Sequence, residues 1–544
     1  MKRLFLYMLT GMSLVGGTSC SDFLDTVPHD ALSPATTWKT EDDAQKFLIG
    51  CYDGWADPTQ LIYLDCGSDI GYNNFTWENW KEIGNGNMSA AGSVYSVYSF
   101  SIIRRCNDFL TNIENIEFAD QAKKNDMIAQ VRTIRAYQYF DKNWWYGGVP
   151  LIESYGSAEE AQVPRNTEEE VKKFVFDELE AVIPMLNDAP VARGYIAKGT
   201  ALALKMRSAL YYGDYQRAKE AAQAIMDLKQ YELDPSYSNL FMVAGQNSKE
   251  IIASVQRIES LKTFNVIGQM YNNGDGGWSS IVPTQNLVDM YEMSNGLTKE
   301  EAGSSYDATH PFANRDPRME MTIIFPGQNW NGRVFNTLDQ QIDDPEKPGS
   351  KKNNEDFPGG ADNASKTALT WYKYLGPKSQ YSDMWHTNAC PIVFRYAEVL
   401  LTYAEAENEL NGPSAVVYDL LDQVRLRAGH VAVDRSKYGT QDKLRELIRR
   451  ERTIEFAGEG LRRADILRWK DASGKMMAET VLNGSLNRIS GTIDNNNNDP
   501  YTRATIATKV EFIEDRSFKP YNRYMPIPQG ARDANPNLSQ NQGY

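Results

Sequence analysis

Apolar residues recur every three or four positions along much of the first 230 residues. That spacing places one face of an α-helix against a core. The stripes predict helices over 102–116, 119–144, 168–186 and 196–212. The clearest unit runs over 197–227. An Ala- and Leu-rich helix ends at Gly213-Asp214-Tyr215, and a second helix continues with small Ala218 and Ala222. Small side chains at packing positions let antiparallel helices approach closely, which is the logic of tetratricopeptide repeats. A further pair is predicted far downstream. Tyr396, Val399, Leu400, Tyr403 and Leu410 form one stripe, and Asn411-Gly412-Pro413-Ser414 breaks the chain. Val417, Leu420, Leu421, Val424 and Ala428 form the next stripe, with Gly429 placed as a C-cap. A third helix is predicted over 443–457.

Between these blocks the texture changes. Asn272-Asn273-Gly274-Asp275-Gly276-Gly277, Gly359-Gly360 and several prolines punctuate segments with little helical period. The pattern predicts a mainly α fold on a tetratricopeptide-like helical-repeat scaffold over about 35–255 and 391–475. A loop-rich insertion with few short strands interrupts it over about 256–390, and an extended tail follows over 480–544. Long irregular insertions on a helical scaffold are where binding loops usually sit.

The first residues read as an address. Lys2 and Arg3 precede an apolar run from Leu4 to Val15, and Gly16-Gly17-Thr18-Ser19 leads into Cys20. The proportions are those of a secretory signal peptide. Small residues ending in cysteine are similar to a lipobox, so 1–19 is read as the leader and Cys20 as the lipid attachment point of a single domain over 20–544.

Charge removes one class of partner. Lys and Arg number 57 against 72 Asp and Glu, a formal charge of −15 that repels phosphate backbones and argues against nucleic acid. A mean hydropathy of −0.53 excludes a polytopic membrane protein. His29, His310, His386 and His430 are scattered, and no CxxC occurs among Cys51, Cys66, Cys106 and Cys390. No metal-ligating residues and no cofactor are therefore expected, and the sequence leaves a structural metal ion and the disulfide state open. The run 494–499 has carboxylates like a calcium loop but lacks its turn glycine and distal glutamate, so it reads as a solvated loop. No GxSxG elbow, P-loop or dinucleotide fingerprint is present. Glu451 and Glu455, four apart on one helix, could serve a glycosidase; the arginines around them make a structural ion network the better reading.

Aromatic supply is heavy, with 11 Trp and 30 Tyr. Flat side chains cover the apolar C–H faces of sugars, and neighbouring Asp, Asn and Arg bond the hydroxyls. Two stretches offer such a platform. One holds Asp65, Asp69, Tyr72, Phe75, Trp77 and Trp80; the other holds Trp278, Trp330, Trp371, Tyr372, Tyr381 and Trp385. Trp144, Trp145 and Trp469 read as core, and Trp38 and Trp55 as packing for the first helix.

Several motifs then fall in a fixed order. Cys20-Ser21-Asp22-Phe23-Leu24-Asp25 precedes Pro28, and Arg135-Ala136-Tyr137 leads to Tyr146-Gly147-Gly148-Val149-Pro150-Leu151. Arg395-Tyr396-Ala397-Glu398-Val399-Leu400-Leu401, Glu451-Arg452 with Glu455-Phe456, the stretch 462–469 and Pro526-Ile527-Pro528-Gln529 follow. Across the mature chain this order resembles the SusD/RagB family of surface nutrient-binding lipoproteins. The resemblance implies about four tetratricopeptide-like helix pairs wrapped by an irregular, ligand-bearing half. It also implies a non-catalytic protein, lipid-anchored on the outer face of an outer membrane, that captures oligosaccharide for a SusC-like TonB-dependent transporter. By region and chemistry the ligand residues are expected among Asp69, Tyr72, Trp77 and Trp80 in the early loop, and Trp278, Trp330 and Trp371 in the insertion. An exported glycoside hydrolase, a peptide- or glycopeptide-binding relative and a pure interaction module remain as alternatives.

Overall fold

The computed structural model describes residues 37–544, positions 93 and 155 excepted; the leader and Cys20 lie outside the described residues. The first helix, α1 (Glu41–Tyr52), begins at Thr40, whose hydroxyl accepts from the Asp43 amide while the Asp43 carboxylate accepts from the Thr40 amide. Trp38 stacks on Phe47 of this helix, with ring centroids 4.0 Å apart. Helices α2 (Ser101–Asn112), α3 (Gln121–Tyr146), α4 (Glu168–Val182), α5 (Lys198–Tyr211) and α6 (Tyr215–Asp227) then stack in sequence order. Between α5 and α6 the chain turns at Gly213, whose φ of +73° suits glycine, and Asp214 caps the next helix. Ala218, Ala221 and Ala222 are buried there, so the small-residue contact expected from the sequence forms.

After α6 the chain leaves the stack and returns as α7 (Tyr396–Asn411), which packs directly on α6. Helices α8 (Ala415–Arg427) and α9 (Gln441–Phe456) complete the layer. The architecture is thus mainly α and built of antiparallel helix pairs, with every strand among the described residues confined to a two-stranded ribbon. None of the described helices is long and apolar enough to cross a membrane. The excursion between α6 and α7 is closed by the antiparallel strands Ile251–Ser254 and Ile392–Arg395, with Ile392 opposite Ser254 and Arg395 opposite Ile251.

A buried ion network fastens the excursion to the helices. Arg395 donates to Glu250, Glu455 and Glu459. Arg318 donates to Asp316, Glu451 and Glu455; Arg425 to Glu292 and Glu451; Arg427 to Glu250 and Glu455. Glu451 and Glu455 are fully buried and taken by guanidinium groups. That arrangement fits the structural reading of this carboxylate pair. Their partners differ from the sequence expectation, however. Arg449 bonds the Lys470 carbonyl, Arg452 pairs with Asp465 and Arg462 with Asp69, while Glu451 and Glu455 take arginines from other segments.

Much of the tail is extended chain paired into ribbons. Asn483–Arg488 pairs with Glu511–Ser517, and Gly491–Ile493 with Ala504–Ile506. Beyond these ribbons it crosses the end of α3, where a Cβ on Gly147 would lie 2.8 Å from the Tyr524 ring. The 494–499 loop closes on Arg503, whose guanidinium donates to the carbonyls of Asn497 and Asn498. Those oxygens therefore have a protein cation as partner. Cys51, Cys66, Cys106 and Cys390 are buried free thiols, and burial pushes Cys66 and Cys106 well above the ordinary thiol range.

Candidate functional site

Two short strands bring distant segments together. Gly71–Asn73 pairs antiparallel with Ile281–Pro283, Tyr72 lying opposite Val282, and the Asn74 amide extends the ladder by donating to the Ser280 carbonyl at 2.9 Å. Trp77 follows this ribbon on one strand and Trp278 precedes it on the other. The ribbon end therefore carries both indoles, edge to face with centroids 6.0 Å apart.

Trp77 sits in the single turn Thr76–Glu78, which closes at Asn79 in the left-handed region (φ 70°). Glu78 anchors that turn from below. Its carboxylate accepts from Asn73 at 2.5 Å and from the Tyr63 hydroxyl at 3.2 Å, and burial raises its pKa. Trp77 is 59% exposed. Phe75 stacks beside it at 5.4 Å. Trp385 extends the row, 4.8 Å from Trp278. Its indole lies so close over Gly268 that a Cβ there would approach within 2.4 Å of the ring, so glycine is required by contact. The Trp385 amide donates to Asp383, whose other oxygen lies 2.7 Å from His386 Nδ1. That neighbour holds the exposed Asp383 carboxyl below its usual range.

Phe75, Trp77, Trp278 and Trp385 thus form one continuous shelf from three chain segments, at least partly open to solvent. Carboxylates and amides at its edges can accept from and donate to hydroxyl groups.

Of the residues expected from sequence, the structure brings Trp77 and Trp278 together at this shelf. The others lie elsewhere. Asp69 is buried, and both of its oxygens accept from Arg462 at 2.8 Å, so no lone pair faces outward. Tyr72 is buried under the ribbon against Val282 and Leu486. Trp80 is 2% exposed, sandwiched by Tyr95 at 4.0 Å and Tyr63 at 5.7 Å, and it supports the turn carrying Trp77. Trp371 is buried, packed against Gly458. Burial denies Tyr72, Trp80 and Trp371 the open face that a stacking platform needs. Trp330 is also largely buried, with its indole N–H donating to Asp275 at 2.6 Å. Its edge, however, lines an open groove of about 770 Å³ with Asn329, Asn331, Tyr372 and Lys378, a size in the range of small-ligand sites. Gly274 and Asp275, which precede Trp278 in the chain, also line this groove. Phe75 and Trp385 stood in the two aromatic stretches but not among the expected ligand residues, and no local signal sets them apart from their buried neighbours.

Residues 241–544 match the model of the SusD family. The chain belongs to the SusD family. A SusD-like protein of Formosa agariphila is 28% identical over 500 residues, covering 86% of this chain and 90% of that one. The starch-binding protein SusD of Bacteroides thetaiotaomicron is 22% identical over 480 residues, covering 81% and 76%. Among solved structures, a SusD-like carbohydrate-binding protein from Bacteroides fragilis superposes with a TM-score of 0.80 at 27% identity, covering 93% of this chain and all of the other. In this SusD-family chain the shelf sits on the ribbon between the early loop and the insertion, away from the helix pairs.

Proposed function

We propose that this SusD-family protein is a glycan-binding protein held at the cell surface through lipid on Cys20. It captures an oligosaccharide on the Phe75–Trp77–Trp278–Trp385 shelf without cleaving it, and passes it to a SusC-like TonB-dependent transporter. The observation that carries this reading is the shelf itself. Trp77 is exposed, the other three rings are half-buried beside it, and an apolar patch left open to solvent in this way marks a binding surface. Relatives named for starch binding and carbohydrate binding support a sugar as occupant. The flanking Asp383–His386 pair supplies acceptors and donors for its hydroxyls. Shallow stacking leaves much of the ligand wet, so affinity is expected in the micromolar to millimolar range, roughly −4 to −8 kcal/mol.

Removal of one ring tests the assignment. Trp77→Ala, Trp278→Ala and Trp385→Ala are each expected to weaken binding of a retained glycan about tenfold, or about 1.4 kcal/mol. Trp77→Ala should leave the unfolding midpoint unchanged, because that indole is largely in water. Isothermal calorimetry with full affinity in all three variants would move the site elsewhere. Release of reducing sugar from the bound glycan would turn the reading toward a hydrolase.

A further inference from the structure

Beside the shelf lies a group of cations in a chain that is acidic overall. The Lys366 amide donates to Asn74 Oδ1 at 3.4 Å and Asn74 Nδ2 donates to the Ala364 carbonyl at 3.2 Å. This fixes Lys366 next to the residue that precedes Phe75. Lys81 Nζ lies 5.4 Å from the Tyr72 ring centroid on the same ribbon. Tyr72 packs in turn against Leu486, and Arg488 ends that strand, opposite Glu511. The charges of Arg488 and Lys81 both act on Lys366.

The acidic neighbours are largely occupied. Glu511 pairs with Lys509 at 2.9 Å, and Glu514 with Arg516 at 3.1 Å and more loosely with Lys81 at 3.7 Å. Asp362 acts on Lys366, and Glu511 on Arg488, from beyond ion-pair distance. Lys366 and Arg488 are half-buried and make no ion pair among the described residues. Burial and, for Lys366, the neighbouring cations pull both pKa values down. A partly desolvated cation with no counter-ion in contact is unfavourable, and an arriving anion relieves that cost.

We propose that Lys366, Arg488 and Lys81 form a subsite for an anionic substituent, a carboxylate or a sulfate ester, on a sugar lying across the aromatic shelf. The proposal rests on the glycan reading above and names the class of glycan. The guanidinium of Arg488 offers a planar fork to either oxyanion, and the two ammonium groups add charge. Tyr72 enters here as the platform beneath Lys81.

Affinity electrophoresis of the full mature chain tests this. Gels contain polygalacturonate or alginate for carboxylate, carrageenan or chondroitin sulfate for sulfate, and starch, laminarin or xylan as neutral polymers. The expected result is retardation by at least one acidic polymer. That retardation should weaken about tenfold or more in Lys366→Ala/Arg488→Ala, fall with added salt, and return in Lys366→Arg/Arg488→Lys. Which acidic gel retards the protein separates carboxylate from sulfate. Retardation by neutral polymers alone overturns the subsite and leaves the glycan reading intact. Acidic binding unchanged in a double variant that keeps the wild-type unfolding midpoint also overturns it. Absence of retardation in every gel overturns both.

Discussion

Glu455→Gln is expected to lose about 3–5 kcal/mol of folding free energy, the scale set by breaking a buried ion pair on one side. Glu455 is fully buried and its carboxylate accepts from Arg395 at 2.8 Å and from Arg318 at 3.1 Å, with Arg427 as a third partner. Neighbouring guanidiniums drive its pKa far below the ordinary carboxylate range against the opposing effect of burial. A neutral amide keeps the shape and removes the charge. Three guanidiniums then share a weakened set of counter-charges in a site that water does not reach. Because Arg395 ends the strand that closes the excursion and Arg318 lies within it, the damage falls on the seam between helices and insertion. Urea unfolding should show a midpoint well below that of the parent protein, with glycan binding lost in step. Glu300→Gln is the control, since its contact with Lys299 is 3.8 Å long and exposed; exposed pairs contribute about 1 kcal/mol or less. Equal midpoints for Glu455→Gln and the parent protein would show that the network carries no stability.

The helices were legible because each signal is local. The stripes around α5 to α9, the Gly213-Asp214 turn and the Asn411–Ser414 break are all contained within a few turns of chain. Three-residue strands carry no such signature. Nothing in Gly71–Asn73 or Ile281–Pro283 announces that they pair across some two hundred residues, yet that pairing sets Trp77 beside Trp278. Trp77 and Trp80 share one polar, glycine-rich stretch, and composition does not separate them. A single turn sends one indole outward and the other beneath it, between Tyr63 and Tyr95. Asp69 was chemically suited to a sugar hydroxyl, but Arg462, nearly four hundred residues away, occupies it. The same non-local logic distinguishes the two halves of the protein. Arginine and glutamate saturate one another inside the helical seam, whereas the Trp77 face and the Lys366 and Arg488 charges are left without such partners among the described residues.

Stability is expected to hold from neutral pH to about pH 5 and then to fall steeply below about 4.5. Glu292, Glu455 and Glu459 are held below their ordinary value of 4.5, and Glu405 is brought down to about 2. Burial opposes the shift in each case, and the surrounding Arg, Lys and His groups outweigh it. In the unfolded chain these groups take up protons near 4.5, whereas in the folded protein they stay ionised to much lower pH. The unfolded state therefore binds more protons below that point, and stability drains away as acid is added. Asp65 acts in the opposite sense. Burial lifts it to about 6 although the amides of Gly458, Gly460 and Arg462 bond its carboxylate, so its contribution becomes more favourable as pH falls through 6. Raised Asp141 and Glu78 add to that effect. The two trends give a plateau, or a shallow maximum, between pH 7 and 5, followed by a steep decline as the network protonates. Urea midpoints measured at half-unit intervals from pH 8 to 3 should trace that profile. A midpoint still undiminished at pH 3 would mean that the buried carboxylates are not ionised and that the seam is held by packing alone.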